Sequence, residues 1–356
     1  MTNKPNKLAL AVLAMLPLGL ISLLFAGVGQ ANGQEVFPEV VVEGLNNPSG
    51  VAIQPNTGHV FVSDSGAGRV VRVIDGKVED VITAFPTEGY GTDPTYQIGP
   101  LGLLFLDEET LVVGGGGLPD GDDMIRVFKV PATGEKPILV SETFGNTLSL
   151  PSINEGETAV PGEGNFYGLA LGSGKLFVTC NGDDKKGWVA KAKVNPNGQI
   201  SNLTRMIATK ETTGIDAPGA VTISPKDECL VVGQMGELKD KKNDSLLTFY
   251  SLSGTELAVF QTDLNDITGL AYGPQYGRLF ALDFNWASPK QGGLYKLVAI
   301  ENNEKKCEAV LMSKLEKPTA LAFTAKGDCY ITLAGTNGNP NGKLILVRQL
   351  DIDPNE

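Results

Sequence analysis

The sequence predicts an all-β fold, a six-bladed β-propeller in which each blade is a sheet of four antiparallel strands. Residues 44–85 contain four short apolar runs separated by Gly, Asn, Asp or Pro, as is typical of antiparallel strands. The same plan recurs five times, and the aligned positions are Gly50, Gly102, Gly168, Ala220, Gly269 and Ala320, at steps of 52, 66, 52, 49 and 51 residues. Periods near fifty in an all-β pattern indicate a propeller, because a lone four-stranded sheet must bury its faces against copies of itself.

The two ends of the chain supply complementary parts of one blade. Residues 34–42 (QEVFPEVVV) form a strand outside the repeats, whereas the last repeat, residues 316–350, has three strands. If the N-terminal strand becomes the outer strand of the last blade, the ring closes by pairing the two ends, which removes a free sheet edge. We therefore expect the propeller to span residues 35–350, with a tail at 351–356.

The strands of the later repeats follow as apolar runs between turn residues. They are LGLLFLD, TLVVGG, MIRVFKV and KPILVSETF in the second repeat; YGLALG, KLFVTC, WVAKAKV and ISNLTRMI in the third; AVTISP, CLVVGQ, LLTFYSL and ELAVFQT in the fourth; GLAYGP, RLFALD, GLYKLVAI and CEAVLMS in the fifth; TALAFTA, CYITLA and KLILVRQ in the last. The long step of 66 marks an insertion at residues 145–164, which is polar and rich in Gly and Pro. Loops of this length are usually either functional or disordered, and both interpretations stay open.

Residues 1–31 are typical of a secretory signal peptide. Lys4 and Lys7 precede an apolar run at residues 8–28, and small residues follow at Gly29 and Ala31. The run is long for a signal peptide, so an uncleaved N-terminal anchor is the competing interpretation. Either one predicts a secreted, periplasmic or extracellular protein whose only membrane contact is this segment.

Charge and cysteine content exclude some classes of function. The net charge of −12 disfavours binding to phosphate backbones, so no nucleic-acid partner is expected. The four cysteines are too few for a disulfide scaffold, and burial as small apolar residues is favoured over a bridge between Cys307 and Cys329.

Two sets of side chains are predicted to meet at one mouth of the central channel. In an up-and-down sheet, the start of the first strand and the end of the second lie on the same face. Asp64, Asp283 and Asn181 follow second strands, and with Asp266 they form a candidate calcium set, since calcium takes several oxygen ligands. The alternative is that these aspartates accept backbone N–H bonds in the turns that follow the strands.

The second set is aromatic. Phe284 and Trp286 follow a second strand, Phe166 and Tyr167 open a first strand, and Gln234 ends another second strand. Rigid aromatic area at a channel mouth favours a ligand-binding site, with packing between neighbouring sheets as the alternative.

The repeat pattern resembles that of the NHL-repeat propellers. Pro48, Ser49 and Gly50 lead into an inner strand, and a run of aliphatic and aromatic residues from His59 ends at Asp64. The pattern is also similar to the wider six-bladed group that contains the gluconolactonase (senescence-marker), strictosidine-synthase-like and paraoxonase families. The resemblance covers residues 35–350 and implies the fold more strongly than a function, because this fold hosts binding modules and several kinds of enzyme.

The resemblance to gluconolactonases implies a metal held by acidic and Asn residues directly before the first strands. Here the residues before the aligned Gly or Ala are Ser49, Leu101, Tyr167, Gly219, Thr268 and Thr319, so that set is not reproduced in register. The chain also has one histidine, His59, which argues against a Ser-His-Asp triad, against a His-rich zinc or copper site and against the histidine-dependent enzymes of this fold.

Two functions remain open from the sequence. The first is a secreted or envelope-tethered propeller that binds a protein, a peptide or a glycan at the aromatic mouth. The alternative is a calcium-dependent hydrolase of the gluconolactonase type, with Asp64, Asp283, Asn181 and Asp266 around the metal.

Overall fold

A computed structural model of the protein describes residues 35–91, 95–153, 161–181, 186–225, 229–236, 242–300, 305–336 and 339–351. The expected signal or anchor segment at 1–31 and nearly all of the tail at 352–356 lie outside these residues. Within the described part, no helix is long and apolar enough to cross a membrane.

Six small sheets of the described chain form the blades, as the repeat predicts; they are antiparallel apart from one short parallel strand in the first sheet, and a separate two-stranded sheet lies outside the blades. In chain order the strands are β1 (Glu39–Leu45), β2 (Pro48–Ile53), β3 (Val60–Asp64), β4 (Arg69–Ile74), β5 (Lys77–Thr83), β6 (Glu88–Tyr90), β7 (Tyr96–Ile98), β8 (Pro100–Phe105), β9 (Thr110–Gly115), β10 (Ile125–Lys129), β11 (Ile138–Leu139), β12 (Phe166–Gly172), β13 (Lys175–Cys180), β14 (Trp188–Val194), β15 (Ile200–Ala208), β16 (Pro218–Ile223), β17 (Leu230–Gln234), β18 (Leu246–Tyr250), β19 (Glu256–Gln261), β20 (Ile267–Tyr272), β21 (Leu279–Asp283), β22 (Gly293–Ala299), β23 (Cys307–Lys314), β24 (Pro318–Phe323), β25 (Cys329–Leu333) and β26 (Gly342–Val347). The helices are α1 (Thr209–Thr213) and two 3₁₀ turns, Ser65–Ala67 and Pro289–Gln291.

The sheets form a closed ring. The first strands of the six repeats, β2, β8, β12, β16, β20 and β24, each contact the next, and β24 contacts β2. Strand β1 pairs with β26, which gives the last sheet the order β1-β26-β25-β24 and confirms the predicted closure. An ion pair between Glu39 and Arg348 joins the two ends at the outer edge, with Nε of Arg348 3.1 Å from Oε1 of Glu39.

One apolar layer fills each of the six gaps between neighbouring sheets. The layer at the closure contains Val42 and Leu45 from β1, Val51 and Val62 from the first sheet, and Leu344 from β26. Both faces of a sheet contribute to these layers, because successive side chains of a strand point to opposite faces. The core is therefore divided into wedges rather than gathered at one centre.

Close approach of the sheets at the axis explains the glycine of the repeat. A Cβ atom built on Gly50 would collide with the carbonyl oxygen of Leu101 in the next sheet. A side chain at this position would push the first two sheets apart, so glycine is required there.

The second sheet differs from the expectation. Its three regular strands are β8, β9 and β10, and part of the segment expected as its fourth strand, β11, pairs in parallel with β5 of the first sheet. The chain then returns to the second sheet, where Phe144 donates its backbone N–H to Val127 and Leu148 bridges to Ile125. This segment therefore forms backbone hydrogen bonds with both of the first two sheets and joins them.

The described parts of the insertion at 145–164 are joined by a backbone bridge between Leu150 and Glu163 and by the side chain of Arg205. The Nη2 atom of Arg205 donates to the carbonyl oxygens of Leu150, Pro151 and Pro161 at 3.3, 3.0 and 2.8 Å. Residues 154–160 of the insertion lie outside the described part of the chain.

All four cysteines are buried and unbridged. Cys307 and Cys329 therefore act as small apolar core residues, as the sequence favoured.

Candidate functional site

A small cavity opens at one end of the propeller axis and is lined by residues from all six sheets. Its volume is about 80 Å³. We call it the cup. Its aromatic lining residues are Tyr90, Tyr96, Tyr167, Phe284 and Trp286; its polar ones are Asn47, Ser49, Asn165, Asn181, Thr268 and Thr319; the rest are Ile98, Leu101 and Met235. Starts of first strands and ends of second strands meet here, which is the arrangement expected for one mouth of a propeller.

An aromatic wall forms one side of the cup. The rings of Phe284 and Trp286 are stacked, with centroids 5.3 Å apart and planes at 27°. Tyr96 meets Trp286 edge-on at 5.5 Å and Phe284 at 6.4 Å. Such ring pairs stabilise one another beyond their buried area, so the wall is a preformed surface.

A hairpin that belongs to no blade covers the cup. Strands β6 and β7 pair with each other between the first and second sheets. Across the opening, Nδ2 of Asn181 in the third sheet donates to the Tyr90 hydroxyl at 3.2 Å. Lys317, beside the sixth sheet, places its Nζ 5.7 Å from the centroid of the Tyr96 ring. Strands β6 and β7 therefore bridge the ring, and we call these two strands the roof; residues 92–94 lie outside the described chain.

Tyr167 forms the floor of the cup. Its hydroxyl donates to the carbonyl oxygen of Thr319 at 2.7 Å, which links the third sheet to the sixth, on the opposite side of the axis. Burial raises the pKa of the Tyr167 phenol, so the group keeps its proton and acts as a donor. The axial channel is thus crossed by a side chain beneath the cup.

The threonine hydroxyls of the lining bind neighbouring sheets together. Thr268 donates to the carbonyl of Pro318 at 2.8 Å, and Thr319 donates to the carbonyl of Pro48 at 2.7 Å. These bonds span the gaps between the fifth and sixth sheets and between the sixth and first.

Two asparagines at equivalent repeat positions also line the cup. Asn47 and Asn165 each lie three residues before the aligned glycine, and both have the left-handed φ of 49° that Asn tolerates well. Asn47 holds the roof by donating from Nδ2 to the carbonyl of Gln97 at 2.9 Å. Asn165 donates from Nδ2 to the carbonyl of Asn181 at 3.3 Å.

Asp64 makes turn and ion-pair contacts behind the cup. Its Oδ1 accepts the backbone N–H of Asn46 at 2.6 Å, and its Oδ2 lies 2.8 Å from Nη2 of Arg69. Only 1% of Asp64 is exposed, and burial raises the pKa of its carboxyl despite these partners.

Asp283 caps the turns of the fifth sheet. It accepts the backbone N–H groups of Asp266 at 2.8 Å and Asn285 at 3.1 Å. Burial raises the pKa of the Asp283 carboxyl. The turn interpretation of Asp64 and Asp283 therefore describes the contacts that both residues make.

Asp266 positions the aromatic wall. Its Oδ2 accepts the backbone N–H of Trp286 at 2.5 Å, and its own carbonyl accepts the N–H of Phe284 at 2.9 Å. Burial, together with the charge of Asp283, raises the pKa of Asp266 to about 7. The residue supports the site from behind and is not part of the lining.

Phe166 and Gln234 do not line the cup. Phe166 is fully buried between the second and third sheets, because its side chain points to the opposite face from that of its neighbour Tyr167. Gln234 is fully buried as well, with Nε2 donating to Thr213 at 2.9 Å and Oε1 accepting from Thr248 at 3.0 Å. Of the five residues expected to bind a ligand, Tyr167, Phe284 and Trp286 meet in the cup.

The lining of the cup does not fit a calcium ion. It offers amide, hydroxyl and aromatic groups and no carboxylate, whereas protein calcium sites are built largely from carboxylate and carbonyl oxygens. Among the described residues, no group of three or more His, Cys, Asp or Glu side chains is placed to hold a metal ion. Of the four candidate ligands, Asn181 lies in the cup, and Asp64, Asp266 and Asp283 lie outside its lining.

The roof is the part of the site that sequence reasoning missed. Tyr90 and Tyr96 lie on three-residue strands without an apolar alternation, so the pattern gave no sign of a hairpin. Asn47 and Asn165 had a usable signal, since both occupy the same position of the repeat.

The ring of six sheets around one axis is the architecture of a six-bladed β-propeller. No sequence-family model matches the chain, and no curated protein matches it. Many solved structures share the fold, although at low sequence identity.

Three of these structures illustrate the similarity. The soluble aldose sugar dehydrogenase of Escherichia coli is 14% identical over 88% of this chain and 99% of that one, with a TM-score of 0.58. A gluconolactonase of Xanthomonas campestris is 14% identical over 88% and 89% of the two chains, with a TM-score of 0.54. The calcium-binding protein regucalcin of Agrobacterium tumefaciens strain C58 is 13% identical over 88% and 94%, with a TM-score of 0.52. At this identity the comparisons show a shared fold.

Proposed function

We propose that the cup binds a small sugar or sugar lactone. The observation that carries this proposal is the convergence of five aromatic rings with amide groups in an uncharged cavity on the axis. A sugar ring has apolar C–H faces that pack against aromatic rings, and its hydroxyl groups pair with amides. Ligand sites are typically of this kind, mostly apolar with a few polar groups that orient the ligand.

The comparisons support a ligand of this class. The neighbours named above include a sugar dehydrogenase and a gluconolactonase. They favour the hydrolase alternative over a protein- or peptide-binding module. The size of the cup, about 80 Å³, also disfavours a peptide as its occupant.

Hydrolysis of a bound sugar lactone is the second candidate, and the gluconolactonase among the neighbours is what favours it. A neighbour described as calcium-binding makes calcium the cofactor to test for such a hydrolase, although the described lining of the cup does not fit that ion.

The binding proposal is tested with purified protein and D-glucose or D-glucono-1,5-lactone, by calorimetry and by fluorescence of Trp286 in a Trp188→Phe background. We expect saturable binding that Trp286→Ala abolishes when it is measured by calorimetry. Tyr276→Phe, on the outer surface, serves as a control that leaves binding unchanged. Absence of saturable binding to a panel of neutral hexoses and their lactones would contradict the proposal.

The hydrolase candidate has a separate test. Lactone opening releases a proton, so a pH-stat with and without calcium measures turnover above the spontaneous rate. A rate equal to the spontaneous one in both conditions removes this candidate and leaves the binding proposal intact. Calorimetric titration with calcium alone shows whether the ion binds, and a native-state ligand must also raise the melting temperature.

Export from the cytoplasm is proposed from residues 1–31. N-terminal sequencing of the protein recovered from its native host is expected to begin near residue 32. An intact N-terminus in a membrane fraction supports the anchor interpretation. An intact N-terminus in the cytoplasm contradicts both the signal-peptide and the anchor interpretation.

A further inference from the structure

We infer that Asn165 determines which ligands the cup accepts, because its Oδ1 atom accepts a hydrogen bond from a hydroxyl group of the ligand. This inference rests on the proposed function and narrows it. The cup takes a ligand that presents a hydroxyl donor to the third sheet.

Asn165 is a buried member of the lining whose acceptor atom has no partner in the described protein. The residue is 8% exposed and directly precedes β12. Its Oδ1 is buried and accepts no hydrogen bond from any residue within the described ranges. A buried acceptor without a donor is costly, and nearly all such groups in folded proteins are paired. A donor that belongs to a ligand in the cup supplies the missing partner.

Neighbouring groups fix the orientation of the Asn165 amide. Its Nδ2 donates to the carbonyl oxygen of Asn181 at 3.3 Å. The reverse orientation would place two acceptor oxygens against each other, so this contact assigns Nδ2 to the side of Asn181 and leaves Oδ1 on the other side. The backbone N–H of Asn165 donates to Oδ2 of Asp123 at 2.9 Å, which holds the residue in its turn. The acceptor is therefore positioned before a ligand arrives.

The donors close to Asn165 are engaged with other acceptors. A Cβ atom built on Gly116 would lie 2.9 Å from Oδ1, so this glycine is a close neighbour of the acceptor. Gly116 has no side-chain donor, and its backbone N–H donates to the carbonyl of Gly99 at 2.8 Å. Nδ2 of Asn181 donates to the Tyr90 hydroxyl at 3.2 Å. These bonds leave Oδ1 available to a ligand.

An acceptor of this kind selects ligands by their ability to donate. A hydroxyl group donates to an amide oxygen, whereas a methylene group or a fluorine atom at the same position does not. No hydrogen bond from a described residue to Oδ1 has to be broken when the ligand enters. The gain should therefore lie near the upper end of the range for a neutral hydrogen bond, about tenfold in affinity or about 1.4 kcal/mol.

Calorimetry with D-glucose, its monodeoxy derivatives and the matching deoxyfluoro derivatives tests the inference on the wild-type protein. We expect one position of the sugar at which both derivatives bind at least about tenfold more weakly than D-glucose. Fluorine distinguishes the two roles of a hydroxyl, because it accepts a hydrogen bond weakly and donates none. If the deoxyfluoro derivatives bind within about threefold of D-glucose at every position, no hydroxyl of the sugar donates in the cup, and the inference is overturned.

Variants of Asn165 show whether this residue receives the hydroxyl. Asn165→Gly removes the acceptor and keeps the backbone conformation, because glycine adopts a φ of 49° without strain. We expect D-glucose and the discriminated derivatives to bind to this variant within about threefold of one another. Asn165→Ala, which keeps the Cβ atom, has the same expectation, so the test does not depend on the folding of one substitution.

Asn202→Gly is the matched control. Asn202 also has a left-handed φ, of 56°, but it is exposed on β15. The control should keep the full preference of the wild-type protein for D-glucose. Circular dichroism establishes that all three variants are folded.

The outcomes separate the two proposals. If D-glucose binds and each derivative loses the same affinity in the Asn165 variants as in the wild-type protein, Asn165 receives no hydroxyl; the inference then fails and the binding proposal stands. Complete loss of D-glucose binding in both variants exceeds what one hydrogen bond contributes and also counts against the inference. If no neutral hexose or lactone binds to the wild-type protein, the binding proposal fails, and the inference fails with it.

Discussion

Removal of one hydroxyl group tests whether the floor of the cup holds the ring together. The Tyr167 hydroxyl donates to the carbonyl oxygen of Thr319 at 2.7 Å, across the axis from the third sheet to the sixth. Tyr167→Phe deletes this bond and keeps the ring. Because Thr319 is only 4% exposed, water reaches its carbonyl oxygen poorly after the change.

The magnitude follows from that burial. A neutral hydrogen bond contributes about 0.5–1.5 kcal/mol net, and a buried group left without its partner costs about 1–3 kcal/mol. We expect the free energy of unfolding to fall by about 1–2 kcal/mol. A change of 1 kcal/mol lowers the melting temperature of a domain of about 150–250 residues by about 2–4 °C, and this larger ring should respond at the lower end of that range.

The assay is equilibrium unfolding in urea, followed by far-ultraviolet circular dichroism. Tyr276→Phe is the matched control, because Tyr276 is 39% exposed and its ring lies over the guanidinium of Arg278 on the outer surface. We expect the control to change stability by less than about 0.5 kcal/mol. If Tyr167→Phe is as stable as the control, the bond across the axis does not stabilise the ring, and the reasoning about the floor is wrong.

Three further predictions concern the roof, pH and the thiols. Tyr90→Phe removes the acceptor of Asn181 and should speed amide hydrogen exchange in the hairpin about fivefold with little effect on global stability; unchanged exchange would show that this bond does not hold the roof. Burial, with a contribution from the charge of Asp120, raises the pKa of Asp123 to about 6, so the native state keeps a proton that the unfolded chain releases above pH about 4. Stability should therefore fall as the pH rises from 4 to 6, by up to about 1.4 kcal/mol per unit from this group. Asp123→Asn should reduce that slope and leave the part due to other buried aspartates such as Asp266; an identical slope would rule Asp123 out as a source. All four cysteines are buried and unbridged, so a thiol reagent should react slowly with the native protein and should modify four thiols in denaturant. Modification of fewer than four thiols in denaturant would reveal a disulfide bridge.

The closed ring could be predicted because the last repeat has only three strands and residues 34–42 form a strand outside the repeats. The N-terminal strand therefore supplies the fourth strand of the last sheet. That reasoning placed β1 against β26, where it is found. The step of 66 residues between Gly102 and Gly168 indicated an insertion but gave no warning that β11, which lies in that step, pairs with the first sheet, because a strand of two residues carries no information about its partner.

The site was predicted in part. Tyr167, Phe284 and Trp286 reach the cup because strand ends and strand starts share a face. Phe166 was separable from Tyr167 by alternation alone, since consecutive strand residues point to opposite faces. Tyr90 could not be placed, because its contacts with Asn181 and Trp286 join residues about a hundred or more positions apart.

Because β1 pairs with β26, one sheet of the ring combines strands from both ends of the described chain. Which sheet does so depends on the order of the strands along the chain and not on the architecture of the ring. The two ends lie close enough for Glu39 and Arg348 to form an ion pair. A circular permutant that joins residue 351 to residue 35 by a short linker and opens the turn between β2 and β3 should therefore refold to the same ring. In that permutant the last sheet is built from contiguous chain, and the strand borrowed from the far end belongs to the first sheet instead.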